Sequence, residues 1–233
     1  MHDRSHDRYP GYDVLRKRDT PSWNDATRSV IDARLAIPDT AQFLGVEEWQ
    51  TLKAICDRIV PQPGDRPPVP IAALVDHKLA KDHRDGYRQA SIPPLREAWR
   101  RGLAALDAES QARHRRRFHA LTVGFQDDLL KAMQDGKLDG PAWQGMSSGT
   151  FFSERITHDI LAAYYSHPTS WNELGFGGPA SPRGYVRMYF DRRDPWEAVE
   201  AKPGHEEEAR KANEDVGTPK PGSLRRMTDD GRG

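Results

Sequence analysis

Glu154 and His158 stand four residues apart in FFSERITHDILAAYY, a spacing that sets two side chains one turn apart on a helix. A carboxylate beside an imidazole is the beginning of a divalent-metal site, but such a site draws further ligands from neighbouring elements. No second carboxylate/His pair occurs at matching spacing, so the alternative is a surface pair or a buried histidine satisfied by the backbone. A helical metal-dependent enzyme using Glu154 and His158 is therefore the catalytic reading open to this chain. His2 and His6 lack nearby ligand partners and read as solvated side chains.

Gly175-Phe176-Gly177-Gly178-Pro179 has the composition of a phosphate loop. It follows no predicted strand, opens no predicted helix and lacks the Lys-Ser/Thr of a P-loop, so it does not read as a nucleotide site. No spacing marks a nucleophile with its base and orienting acid. No catalytic residue, cofactor-binding residue or metal ligand is assigned to this chain. Cys56 is the single cysteine, which excludes an internal disulfide and a Cys-rich zinc site, and its neighbours Leu52, Ile55 and Ile59 mark it as a core residue.

The residues with the clearest chemistry are instead those that dock. Trp171, Phe176, Tyr185, Tyr189 and Trp196, with Arg183 and Arg187 among them, are of the types that anchor protein interfaces. Trp171, Phe176 and Tyr185 lie among Gly175, Gly177, Gly178, Pro179, Pro182 and Gly184, a stretch expected to be neither a regular helix nor a central strand, yet too apolar for a solvated linker. On residue types alone it packs either on its own domain or on a partner.

The elements that must position these residues are helices. Phe152, Ile156, Ile160 and Tyr164 recur at four-residue intervals, widened by Phe151, Leu161 and Ala163, and His167-Pro168 stops the pattern. From Val46 a helix turns Trp49, Leu52, Ile55, Cys56, Ile59 and Val60 inward, and Pro61 and Pro63 stop it. A second begins near Ile71 and buries Leu74, Val75 and Leu79, with the Lys78 stem along its edge. Pro93-Pro94 opens a third, with Leu95, Ala98, Trp99, Leu103 and Leu106 inward. A fourth is expected from about Ser110 to Leu121. A fifth, capped by Thr122 and closed by Gly136, carries Phe125, Leu129, Leu130 and Met133. Gly140 to Gly149 reads as a connector. Val30, Ile31, Leu35 and Ile37 suggest a short helix at the core edge.

No alternating strand pattern competes, so the expectation is an all-α, compact helical bundle with an irregular Gly/Pro/aromatic C-terminal loop. Three parts follow: residues 1–28 as a mobile or partner-dependent arm, 29–198 as a single helical domain, and 199–233 as a charged, Gly/Pro-rich tail that is disordered or ordered by a partner. The 233 residues carry 35 basic and 35 acidic side chains, so no global field draws in nucleic acid, and Arg113 to Arg117 reads as a solvated face. No run approaches the ~20 apolar residues of a membrane span. The N-terminus lacks an apolar region after its basic residues, which points to a chain that is cytoplasmic as synthesised, and periplasmic only if exported with a partner that carries the signal.

The run AYYSHPTSWNELGFGGPASPRGYVRM, Ala163 to Met188, resembles the signature end of the gluconate 2-dehydrogenase subunit 3 family. LKAICDRIVPQ, Leu52 to Gln62, resembles that family's first helix with its Ile-Val-Pro stop, and FHALTVGFQDDLLKAMQDGK resembles its middle helix pair. The resemblance covers roughly residues 43–198. It implies a small non-catalytic subunit, without a cofactor of its own, that binds and stabilises a large FAD-dependent dehydrogenase of the glucose-methanol-choline type acting on a sugar, sugar acid or polyol. In such complexes electrons often pass to a cytochrome c subunit or another acceptor. The residues expected at or shaping the partner surface are Trp171, Gly175, Phe176, Gly177, Gly178, Pro179, Arg183 and Tyr185. Many family members begin with a twin-arginine export signal, whereas Arg16-Lys17-Arg18 is followed here by DTPSWNDATRS, with no apolar segment.

Overall fold

The computed structural model describes residues 7–20, 22–62, 64, 66–86, 89–179 and 196–216. Its helices are α1 (Asp25–Leu35), α2 (Val46–Ile59), α3 (Ile71–Ala80), α4 (Leu95–His114), α5 (Val123–Gln134), α6 (Ser148–Phe151), α7 (His158–Tyr165), α8 (Pro168–Leu174) and α9 (Glu206–Glu214). A π-helical stretch, Phe152–Thr157, joins α6 to α7. No strand occurs among the described residues, and the fold is all-α as the periodicity predicts. The chain divides into two compact units, residues 37–165 and residues 1–36 with 166–233.

In the unit 37–165, the predicted inner stripes of α2, α3 and α4 meet in one core that includes Leu52, Ile55, Cys56, Leu74, Val75, Leu79, Trp99, Leu103 and Leu106. Burial pushes the Cys56 thiol far above its ordinary range, in keeping with a packing role. Glu48 accepts the Gly45 N–H at 2.8 Å and so holds the start of α2. The buried Asp76 carboxylate accepts the backbone N–H groups of Phe43 and Leu44 at 3.0 and 2.9 Å, shaping the chain that enters α2.

Three sequence expectations change here. The helix expected over 110–121 is the end of α4 followed by a short 3-10 turn, Phe118–Ala120. Arg115 takes a left-handed conformation at φ 58°, and Asp107 accepts the Phe118 N–H at 3.0 Å, so the apolar pattern is interrupted by a turn that periodicity does not register. In α5, Phe125 faces outward beside His114 and the inward position belongs to Gln126, whose amide donates to the Phe118 carbonyl at 3.1 Å. Gln126, Leu129, Leu130 and Met133 then fall on one helical face. The connector before residue 151 is part of the core, because Trp143 and Met146 are buried and α6 already starts at Ser148.

The apolar helix also differs in register. The π-helical stretch adds a residue to the turn, so Phe151 and Ile156, five apart, are both fully buried while Phe152 is only half-buried. Ile160 and Tyr164 resume the four-residue spacing in α7.

The other unit has its own core, in which Tyr12, Val14, Trp23, Ile31, Trp171 and Val216 are buried together. The described part of the N-terminal arm thus contributes a core segment. Beyond Trp196, α9 forms and buries Ala209 and Asn213. Asn213 donates to the carbonyls of Pro10 and Val199, both at 2.9 Å, and accepts the Val199 N–H at 2.7 Å, so one side chain ties three segments. Composition predicts an irregular stretch after His167; instead Pro168 opens α8, a position where its missing N–H costs nothing.

Candidate functional site

The histidine singled out by sequence, His158, sits in a charged cluster, but Glu154 is not part of it. Across a π-helical turn, residues four apart no longer stack, and the ligand atoms that converge within 4.8 Å of one another belong to Asp85, His158 and Asp159. The Asp159 side chain is 1% exposed, and its Oδ1 accepts from Lys78 Nζ at 2.8 Å and lies 3.1 Å from His158 Nδ1. Its Oδ2 accepts the Trp99 indole N–H at 2.7 Å. Lys78 also donates to Asp85 Oδ1 at 2.6 Å, and Arg155 lies 3.5 Å from Asp85 Oδ2.

The Lys78 ammonium stands where the two carboxylates converge, and a divalent cation at that place would meet a fixed positive charge at contact distance. Burial acts against the charged lysine, but the hydrogen bonds to Asp159 and Asp85 outweigh it and raise its pKa above the ordinary value. With Lys78 in this position the donor set already holds a cation. The result is a partly buried ion network, centred on the buried Asp159, that fastens α3 and α4 to α7. Sequence reasoning had Lys78 as a stem at the edge of its helix; the available signal was Asp159, a carboxylate inside an otherwise apolar stripe.

The aromatic loop lies in the other unit. Trp171 is 5% exposed and belongs to the core with Val14 and Trp23, so its ring is occupied by this chain. Gly175 has φ +64°, and a Cβ there would lie 2.6 Å from the Tyr9 ring. Gly178 has φ +69°, and its Cβ would come within 3.1 Å of Val14. Both glycines therefore admit the N-terminal segment against the loop. The Gly177 carbonyl accepts from Lys17 at 3.4 Å, and the Val14 N–H donates to Asn172 Oδ1 at 2.8 Å.

Pro179 is half-buried. Phe176 is 41% exposed and meets Trp171 edge-on at 5.7 Å, while Leu174, which sequence reasoning did not select, is 50% exposed. Arg183 and Tyr185 lie outside the described residues. The loop is thus two-sided: Trp171 and the glycines build the unit, and Leu174 and Phe176 present apolar surface outward.

An all-helical protein with an internal ion network and an aromatic loop folded on its own N-terminal segment is the class that fold and sites define. The chain belongs to the gluconate 2-dehydrogenase subunit 3 family, whose sequence model matches residues 46–178. That span begins at the first residue of α2 and ends within the loop, at Gly178. The chain matches none of the curated proteins and none of the solved structures with which it was compared.

Proposed function

We propose that this chain is a non-catalytic small subunit that binds and stabilises an FAD-dependent sugar, sugar-acid or polyol dehydrogenase catalytic chain. The observation that carries the reading is the family match over residues 46–178, which spans α2 to α8. The geometry of the charged cluster supports it, because Lys78 occupies the two carboxylates that stand beside His158. The flavin is the partner's, and a cytochrome c subunit or another acceptor takes the electrons. The complex assembles in the cytoplasm.

Leu174 and Phe176 are the part of the loop suited to partner contact, since Trp171, Gly175 and Gly178 serve the unit's own packing. Co-purification of the untagged partner from native cells, followed by a flavin absorption spectrum and a sugar-dependent dye-reduction assay, tests the reading. A yellow, active complex is expected. Recovery of a colourless monomer with no flavoprotein would overturn it, as would flavin or dehydrogenase activity in this chain alone.

A further inference from the structure

Outside the loop, α4 gathers positive charge at Arg96 and Arg100. Arg96 and Arg100 are one turn apart, and both guanidinium groups lie over the Phe43 ring, at 5.2 and 4.5 Å from its centroid. They are held by neutral acceptors. Arg96 donates to the carbonyls of Leu79 and Ala80, both at 2.7 Å, and Arg100 to that of Phe43 at 3.3 Å. Other arginines of this unit meet carboxylates, as Arg58 meets Asp127 and Arg117 meets Asp107. Among the described residues no carboxylate ion-pairs with Arg96 or Arg100; Asp82 feels Arg96 but is hydrogen-bonded to Arg84, and Arg101 uses Glu97.

Like charges one turn apart disfavour a helix, so this pair is maintained against its own repulsion. An anion would relieve that repulsion and engage the N–H groups left over. A guanidinium has five, of which Arg96 uses two and Arg100 one in these bonds.

The shape favours a chain over a small ion. An open concavity of about 510 Å³ is lined by Phe43 and the three arginines. A second, of about 300 Å³, shares Glu97, Arg101 and Gln144 with it and continues along Pro93, Pro94 and Gly145. They adjoin to make a trough with arginines at one end and prolines at the other, and Glu97 between.

We propose that this trough receives an extended acidic segment of the dehydrogenase subunit, its carboxylates against Arg96 and Arg100. The inference rests on the reading that such a subunit is the partner. Exposed charges of this kind act mainly on association rate and its salt dependence.

The test is the association rate of this full chain with the dehydrogenase subunit, for wild type, Arg100→Gln and Arg100→Glu, at about 0.1 M and about 1 M NaCl. A roughly tenfold slower association for Arg100→Glu at low salt, a smaller loss for Arg100→Gln, and convergence at high salt are expected. Arg100 makes a single bond to the Phe43 carbonyl, so these variants leave the Arg96 bonds at the end of α3 intact.

If the wild-type complex forms but neither variant slows it, the trough proposal fails and the proposed function stands. If no complex forms with wild type, the proposed function fails and the trough proposal falls with it. Saturable binding of inorganic phosphate to the isolated chain, lost in Arg100→Gln while complex formation is unchanged, would identify a small-anion site and overturn the peptide assignment.

Discussion

A Cβ built on Gly102 would lie 2.2 Å from Cζ of Phe151, so the glycine in α4 and the aromatic ring at the end of α6 occupy one space between them. The ring fills it and packs edge-on against Trp99 at 5.6 Å and Trp143 at 6.0 Å.

Gly102→Ala should therefore destabilise the protein. In an exposed helix the change would gain about 1 kcal/mol of helix propensity, but here the methyl must displace a fully buried ring, and overpacking of this kind costs roughly 1–3 kcal/mol. Urea denaturation of the variant checks the sign. Stabilisation would show that α4 and α6 sit farther apart than described.

Asp159→Ala removes the acceptor of both Trp99 and Lys78 and leaves a partly buried ammonium with Asp85 alone. Breaking a buried pair from one side costs about 3–5 kcal/mol. Asp159→Asn, which keeps an acceptor for the indole, should lose less. Zinc or manganese should not raise the wild-type melting temperature, because Lys78 already supplies the cation; a stoichiometric metal lost on Asp159→Ala would reverse that reading.

His167 makes stability depend on pH. Its Nδ1 accepts the Thr169 N–H at 3.3 Å as the cap of α8, which requires an unprotonated nitrogen. Burial lowers its pKa, and the nearby Arg34 charge lowers it further. The folded form thus binds this proton less readily than the unfolded chain. The stabilisation is complete above the unfolded value of about 6.5 and is lost as pH falls through the lower folded value. Urea midpoints measured from about pH 8 to about pH 5 should fall less for His167→Asn, which retains a capping acceptor.

Trp171→Ala and Phe176→Ala should separate folding from docking. Trp171 lies in the core of its unit, and emptying such a site costs roughly 3–5 kcal/mol. Phe176, 41% exposed, should change stability by about 0.5 kcal/mol or less while weakening recovery of the flavoprotein. Equal losses of stability in the two variants would remove Phe176 as a docking residue.

Much of the fold was legible because it rests on local periodicity. Leu52, Ile55 and Cys56 in α2, Leu74, Val75 and Leu79 in α3, and Trp99, Leu103 and Leu106 in α4 are buried where their spacing predicts. Arg115 was not legible, since any residue type can follow a helical pattern until one adopts a left-handed conformation. Nor was the extra residue of the π-helical turn, in a stretch where His158 groups with Asp85 and Asp159 rather than with Glu154.

The sequence alone therefore determined the helical class, most inward faces and the family, because apolar spacing along a helix and a conspicuous loop composition are properties of neighbouring residues. Only the tertiary structure decided that Lys78 closes on Asp159, 81 residues away, and that Trp171 packs with Val14 rather than standing free. A buried charge or ring is stabilised by whichever group the folded chain brings to it, and that group lies outside any local window.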